Sequence, residues 1–297
     1  MSQSQNTVSE VRQAGLDKFY TNPDIAERCI AVIGSRYDWN QWSKVIEPSA
    51  GNGSFYNYLP VDDDKKVGID IAPEHDAIIQ QDFFDFNLSN TVPGQVLIIG
   101  NPPFGRVSSL AIKFFNHAAH ICGDINGSVI AFIIPRTFRR PSVQNKLDTS
   151  YHLVYDEDIP TSPCSFTPNM AVKCCFQIWE RRDVSRALIA QETRHPDWEF
   201  LAMGSLDEHG QPTPPQGADF ALRAYGGKCG DIIEQGLETL RPKSWHWIKV
   251  NSANLTKNEL IMRFRQLDYS ISTNTARQNS IGRADLVTLY GTSHTEF

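Results

Sequence analysis

The chain has 297 residues, of which 40% are hydrophobic, and a formal net charge of −6. Its length is near the ceiling of about 250–300 residues for one hydrophobic core, so we expect one large domain and one smaller domain. No apolar stretch reaches the roughly 18 residues that a membrane span needs, and residues 1–6 lack the apolar core of a signal peptide. The six cysteines show no CxxC spacing, which argues against disulfides and zinc. We therefore expect a soluble cytoplasmic protein.

Apolar stretches predict strands that alternate with helices. The predicted strands are 44–47, 66–70, 95–100, 128–134 and 171–179, and the predicted helices include 23–36 and 108–122. This alternation favours an α/β fold with a doubly wound, Rossmann-like sheet, in which a ligand binds at the carboxyl ends of the strands.

A glycine-containing loop follows the first predicted strand, with Gly51 and Gly53 in it. Glycines let backbone N–H groups approach a ligand closely. The pattern is not the G-x-G-x-x-G of dinucleotide sites, and the acidic Glu47 would repel a phosphate. The loop therefore favours a cationic ligand without phosphate, such as S-adenosylmethionine.

Acidic residues also follow the next two apolar segments. Asp70 ends the strand 66–70, where a carboxylate could accept from both hydroxyls of a ribose. Asp82 and Phe83 follow residues 78–81 and offer an acceptor and a ring to an adenine. Taken singly, Asp70 would be a solvated strand end and Asp82 a turn residue, but their order after the glycine loop favours one shared site.

The strand 95–100 ends in the motif Asn101-Pro102-Pro103-Phe104. Asn101 and Pro102 offer two carbonyl oxygens, and Pro103 has no competing N–H. Two acceptors on the exocyclic amino group of a nucleobase favour a pyramidal nitrogen whose lone pair can attack a methyl group, while Phe104 stacks on the base. An ordinary strand-ending turn is the alternative. In its context the motif predicts a catalytic loop.

In this order the motifs resemble the S-adenosylmethionine-dependent adenine-N6 methyltransferases with an Asn-Pro-Pro-Phe/Tyr motif, over roughly residues 18–180. The order is similar to that of gamma-class DNA methyltransferases, in which the specificity region is C-terminal. The resemblance implies a seven-stranded class I methyltransferase sheet with a reversed final strand, S-adenosylmethionine as the cofactor, and no metal.

The resemblance also implies roles for individual residues. Catalysis would involve Asn101, Pro102, Pro103 and Phe104. Phe166 is the candidate for a second ring on the target base, with a core-packing role as the alternative. The candidate cofactor residues come from the N-terminal segment, the loop and the strand ends: Tyr20, Thr21, Glu47, Ser49, Ala50, Gly51, Gly53, Asp70, Ile71, Asp82, Phe83 and Asn101.

The C-terminal part differs in character. The proline-rich segment 211–217 predicts a linker between a catalytic domain, residues 1–217, and a small α+β substrate-recognition domain, residues 218–297. Residues 219–297 hold ten Lys or Arg and eight Asp or Glu, a mild basic excess that suits phosphate contacts. The candidates for phosphate contacts near the predicted active edge are Arg136, Arg139 and Arg140, with a solvated charged loop as the alternative.

The expected function is methylation of the N6 amino group of adenine in nucleic acid, in DNA rather than RNA, with the target base flipped out of its stack. Three alternatives stay open. They are methylation of RNA adenine, methylation of a glutamine amide in a protein, and an inactive nucleic-acid-binding module with the same fold. The intact motif argues against the inactive module.

Overall fold

The computed structural model describes residues 18–88, 94–253 and 255–294. The chain divides into two compact units between Ile189 and Ala190. This division lies earlier than the predicted boundary at residue 217, because the strand Trp198–Phe200 pairs with the strand Trp245–Val250 of the second unit. The proline-rich segment also folds back within that unit, since the Gly204 N–H donates to the Thr213 carbonyl at 2.9 Å.

The first unit is built on a seven-stranded sheet. The strands of the whole unit are β1 (Tyr20–Thr21), β2 (Trp42–Pro48), β3 (Lys66–Asp70), β4 (Ile79–Gln80), β5 (Gln95–Gly100), β6 (Val129–Pro135), β7 (Tyr151–Asp158), β8 (Phe166–Thr167) and β9 (Cys174–Arg181), and its helices are α1 (Pro23–Gly34), α2 (Ser109–Cys122) and α3 (Pro141–Gln144). The sheet has the order β4-β3-β2-β5-β6-β9-β7, and β1 pairs with β8 separately. In this sheet β9 runs opposite to the other six strands and pairs antiparallel with β6 and β7. The predicted class I methyltransferase sheet is therefore confirmed.

Two core clusters cover the two faces of this sheet. Successive side chains of a strand point to opposite faces, and accordingly Ile98 of β5 belongs to the cluster that includes α2 residues, whereas Leu97 and Ile99 belong to the cluster that includes α1 residues. Because both faces are covered, the central strands β5 and β6 are almost continuously buried and apolar.

The second unit combines an antiparallel sheet with helices, in agreement with the predicted α+β class. The strands β10 (Trp198–Phe200), β11 (Phe220–Arg223), β12 (Ile232–Ile233) and β13 (Trp245–Val250) lie in the order β10-β13-β11-β12, and the helices are α4 (Lys257–Arg265) and α5 (Arg283–His294). Trp245 and Trp247 share one buried cluster, as expected for one face of a strand. Across the described parts of both units, no helix is long and apolar enough to cross a membrane.

Candidate functional site

The parallel strands β2, β3 and β5 are neighbours in the sheet, so their carboxyl ends meet at one edge. A cavity of about 290 Å³ lies at this edge. Its lining comes from the N-terminal segment, the strand ends and helix α2: Lys18, Phe19, Tyr20, Ser49, Gly51, Ile69, Asp70, Ile71, Gln81, Asp82, Phe83, Phe84, Asn101, Pro103, Leu110 and Phe114. The parallel topology therefore brings most of the predicted cofactor residues to one cavity.

The glycine loop after β2 approaches the cavity closely. Gly51 has φ +53°, and a Cβ atom placed there would lie 2.8 Å from Cε1 of Tyr20. The Gly51 N–H donates to Oδ2 of Asp70 at 2.8 Å. Ser49 also has a positive φ, 57°, which is uncommon for a residue with a side chain. Only a residue without a Cβ fits between the loop backbone and the Tyr20 ring.

Asp70 is held in place by the backbone on both sides. Oδ1 accepts from the Ala72 N–H at 2.8 Å, while Oδ2 accepts from the loop at Gly51. A carboxylate has about four acceptor sites, so each oxygen retains a lone pair for a ligand. The structure thus orients this carboxylate at the cavity as an acceptor.

Aromatic rings form one wall of the cavity. The Phe83 ring stacks on Phe114 with centroids 5.1 Å apart, and Phe84 meets the same ring edge-on at 5.1 Å. Asp82 caps this short turn by accepting from the Phe84 N–H at 2.9 Å. The sequence motifs did not predict Phe84, Leu110 and Phe114 as lining residues, although the i, i+4 spacing of Leu110 and Phe114 on one helix face is a signal in the sequence.

Asn101 lies where β5 ends and lines the cavity. Its Nδ2 donates to the Phe19 carbonyl at 3.1 Å, which leaves Oδ1 as the acceptor of this side chain. Pro103 also lines the cavity, whereas Pro102 is buried. Phe104 packs against both core clusters and is not part of the lining.

The loop after the motif has an unusual backbone. Gly105, Val107 and Ser108 all have positive φ, of 66°, 53° and 60°. For a β-branched residue such a φ is a genuine outlier, and the Val107 side chain is 84% exposed. The Ser108 hydroxyl lies 2.7 Å from the Thr137 hydroxyl. This loop therefore holds a strained, exposed apolar residue between the cavity-lining Pro103 and Leu110.

Glu47 is placed differently from the predicted role. Its side chain is only 2% exposed and does not line the cavity. The carboxyl oxygens accept from the Phe55 N–H at 3.2 Å and the Tyr56 N–H at 2.7 Å. Burial raises the pKa of Glu47 to about 8, although these two hydrogen bonds oppose the rise. The carboxylates of the cavity lining are therefore Asp70 and Asp82. Also outside the lining are the candidate residues Thr21, Ala50 and Gly53.

Phe166 lies in the protein core rather than at the cavity. It is 2% exposed, belongs to the cluster that includes α1, and pairs across the β1–β8 ladder with Thr21. The structure thus shows the packing arrangement that was the alternative for this residue.

The arginines after β6 contact acidic residues of β7. Arg136 pairs with Asp158 at 2.8 Å, and Arg139 pairs with Asp158 at 2.7 Å. The Arg139 Nε also donates to Asp156 at 3.0 Å. Arg140 precedes α3 directly. A phosphate at Arg136 or Arg139 would compete with these carboxylates.

One family model matches part of the chain. Residues 65–190 match the model of the EDM2 methyltransferase-like domain. The strand order of the first unit, with β9 as the reversed strand, is that of the class I methyltransferase fold. No curated protein matches the chain by sequence.

Solved structures similar to the chain show low identity. The M protein of the type I restriction enzyme EcoKI is 15% identical, with a TM-score of 0.41 over 56% of this chain and 44% of that one. A chain of a type I R-M system is 16% identical, with a TM-score of 0.39 over 54% of this chain and 42% of that one. The magnesium protoporphyrin IX methyltransferase from Synechocystis PCC 6803, solved with bound SAM, is 10% identical, with a TM-score of 0.38 over 61% of this chain and 87% of that one. This chain thus spans less than half the length of the two restriction-system proteins.

Proposed function

We propose that this chain transfers a methyl group from S-adenosylmethionine to the N6 amino group of adenine in DNA. The observation that carries the proposal is the Asn101 amide, whose Nδ2 is occupied by the Phe19 carbonyl while the side chain lines the cavity. The match of residues 65–190 to a methyltransferase-like domain supports the reaction class. The choice of DNA rests on the motif order, with the glycine loop before the Asn-Pro-Pro-Phe motif and a further unit after it.

The cavity suits S-adenosylmethionine chemically. Asp70 offers carboxylate oxygens to ribose hydroxyls, and the Phe83 and Phe114 rings offer an apolar wall to adenine. The cationic residue of this lining, Lys18, is paired with Glu74 at 2.8 Å, so the lining favours a cationic ligand over a phosphate. When bound, this cofactor supplies a methyl group on a positively charged sulfur.

The motif residues prepare the acceptor. Oδ1 of Asn101 and the Pro102 carbonyl accept hydrogen bonds from the two N–H groups of the amino group, which favours a pyramidal nitrogen with an available lone pair. The amino nitrogen of the target base would attack the methyl group of the bound cofactor in line, the sulfur would leave with the bonding electron pair, and the methylated nitrogen would release one proton to solvent. The products are N6-methyladenine and S-adenosylhomocysteine. Since the adenine must leave its stack to reach Asn101, Phe104 is the proposed ring that stacks on it, as a half-buried residue of the motif that lies outside the lining of the cofactor cavity.

The test is transfer of a tritiated methyl group from S-adenosylmethionine to DNA, RNA and protein, followed by nucleoside analysis. We expect N6-methyladenine in DNA with the wild type and a loss of at least about 100-fold with Asn101→Ala, because one preorganised acceptor is removed. Asn258→Ala, on the exposed face of α4, is the matched control and should transfer normally. Label in RNA or protein instead of DNA would overturn the DNA assignment, and cofactor binding without any transfer would favour an inactive module.

A further inference from the structure

Glu74 joins its own loop after β3 to the N-terminal segment and to the glycine loop, without lining the cavity itself. It lies in the loop after β3, with its side chain 48% exposed. Its Oε1 accepts from the Lys18 Nζ at 2.8 Å and from the Tyr20 hydroxyl at 2.5 Å. Both donors line the cavity. One carboxylate oxygen therefore holds two side chains of the N-terminal segment.

That segment, residues 18–22, is called the strap below. The Phe19 carbonyl of the strap accepts from Asn101 at 3.1 Å, and the Asn22 Nδ2 donates to the Cys164 carbonyl at 2.9 Å. The strap is thus attached at the motif, at the loop before β8, along the β1–β8 ladder and at Glu74. The attachment at Glu74 combines an ion pair to Lys18, with side chains 31% and 48% exposed, and a hydrogen bond from the half-buried Tyr20.

The backbone of Glu74 extends the connection to the glycine loop. Its N–H donates to the Gly51 carbonyl at 2.9 Å. On the other side of Gly51, a Cβ would lie 2.8 Å from the Tyr20 ring. Glu74 therefore holds Tyr20 against the same glycine to which its own backbone is bonded.

The protonation states suit this contact. Hydrogen bonds from Lys18 and Tyr20 lower the pKa of the Glu74 carboxyl, which keeps it a charged acceptor. Burial, together with Glu74, raises the pKa of the Tyr20 hydroxyl, which keeps it a donor. A hydrogen bond to a charged group is stronger than a neutral one.

We infer that Glu74 is a positioning residue for the cofactor: through Tyr20 and Lys18 it keeps the strap closed over the glycine loop and so slows dissociation of S-adenosylmethionine. This inference rests on the cofactor of the proposed function but does not depend on the methyl acceptor. Loss of a charge-assisted hydrogen bond predicts affinity about tenfold weaker for Glu74→Gln. Since the strap only retains the ligand, kcat at saturating cofactor should change less than twofold.

The experiment measures the Kd and the dissociation rate of S-adenosylmethionine for the wild type, Glu74→Gln, Tyr20→Phe and the double variant. Tyr20→Phe keeps the ring and removes the hydroxyl, so the double variant should be no weaker than the weaker single variant. Asp76→Asn, a neutralisation in the same loop at an exposed residue, is the matched control and should bind like the wild type.

Three results would overturn the role of Glu74. They are wild-type binding by Glu74→Gln, additive losses in the double variant, or a loss of kcat that parallels a lowered Tm. Failure of the wild type to bind the cofactor would overturn both this role and the proposed function. Cofactor binding without transfer to any acceptor would refute the proposed reaction alone. The role of Glu74 would still be decided by the cofactor affinities of the wild type, the two single variants and the double variant.

Discussion

Two carboxylates that the sequence motifs assign to the ligand, Glu47 and Asp70, accept hydrogen bonds from the backbone around the cavity. Glu47 accepts from the Phe55 and Tyr56 N–H groups, and Asp70 accepts from the N–H groups of Gly51 and Ala72. Exposure separates the two cases. The buried Glu47 supports the glycine loop from within, whereas Asp70 also lines the cavity.

We predict that Glu47→Gln destabilises the fold by about 1–3 kcal/mol, because one buried N–H would face an amide NH₂ instead of an oxygen. The difference should depend on pH. The pKa of Glu47 rises from its ordinary value of 4.5 to about 8 on folding, so between these values the folded state holds a proton that the unfolded state has released. The stability from this group is therefore greatest below about pH 4.5 and declines as pH rises towards 8.

Chemical denaturation of both proteins at several pH values measures this effect. The difference in the free energy of unfolding between the wild type and Glu47→Gln should decrease as the pH rises from 5 to 8. A constant difference across that range would show that the carboxyl does not titrate there.

Gly51→Ala should impair both stability and cofactor binding. The new Cβ would lie 2.8 Å from the Tyr20 ring, and the backbone has φ +53°, which costs an L-residue roughly 1–2 kcal/mol. We expect S-adenosylmethionine affinity to fall at least about tenfold, since the ring must move from its place at the cavity.

Gly123→Ala is the matched control for this prediction. Gly123 has φ +55° but no atom within 4 Å of an added Cβ. Calorimetry and thermal unfolding should therefore show lower stability with normal cofactor binding. Equal binding losses in both variants would mean that contact with Tyr20 is not the cause.

At the level of elements, the loop between β5 and α2 combines regular packing with strain. The Phe104 carbonyl accepts from the Leu110 N–H at 3.2 Å and so joins the motif to the helix. Between them, Val107 has a positive φ, and its side chain is exposed, so burial of apolar surface does not offset the cost of this backbone conformation. Strain of this kind concentrates at functional sites, which fits a loop that borders the cavity.

Val107→Gly should therefore stabilise the protein by on the order of 1 kcal/mol, because release of backbone strain exceeds the entropy cost of glycine. Val184→Gly is the control, since Val184 is also exposed, at 74%, but is not among the residues with positive φ. It should destabilise slightly. Denaturant midpoints of the two variants measure the difference, and a loss of stability in both would show that Val107 is not strained.

At the level of the whole molecule, the position of the unit boundary changes the balance of charged residues assigned to the second unit. Residues 219–297 show a basic excess, but residues 190–297 hold 11 Lys or Arg and 13 Asp or Glu. The unit that the structure defines is therefore slightly acidic. A role for it in substrate recognition stays a prediction, and net charge no longer supports that role.

The fragment 190–297 should fold by itself, whereas 218–297 should not unfold cooperatively. The shorter fragment lacks β10 with Trp198, which is 1% exposed in the main core cluster of this unit. Deleting a buried tryptophan side chain alone costs about 3–5 kcal/mol, a large share of the stability of a small domain. Thermal unfolding by circular dichroism distinguishes the two fragments, and equal transitions would contradict the boundary at residue 190.

The local sequence pattern was sufficient to predict those strands and ligand-facing segments whose apolar runs or motifs consist of consecutive residues. The central strands β5 and β6 are nearly continuous apolar runs, because both faces of a central parallel strand are buried, whereas β2 and β3 contain only short apolar runs. Since parallel strands end at the same edge, the residues after them were predicted to share a site, and Asp70, Asp82 and Asn101 do line one cavity.

Only the tertiary structure decided the features that depend on partners distant in the sequence. The edge strand β7 is half-exposed and rich in acidic residues, as edge strands often are, so its pattern did not predict a strand. Its carboxylates pair with the arginines after β6, and β10 joins the second unit by pairing with β13. Composition and motif order thus determined the sheet and the chemical class of ligand expected at its edge. The direction of side chains and the pairing of distant strands determined which residues line the cavity, because neighbouring residues in the sequence encode neither of these two features.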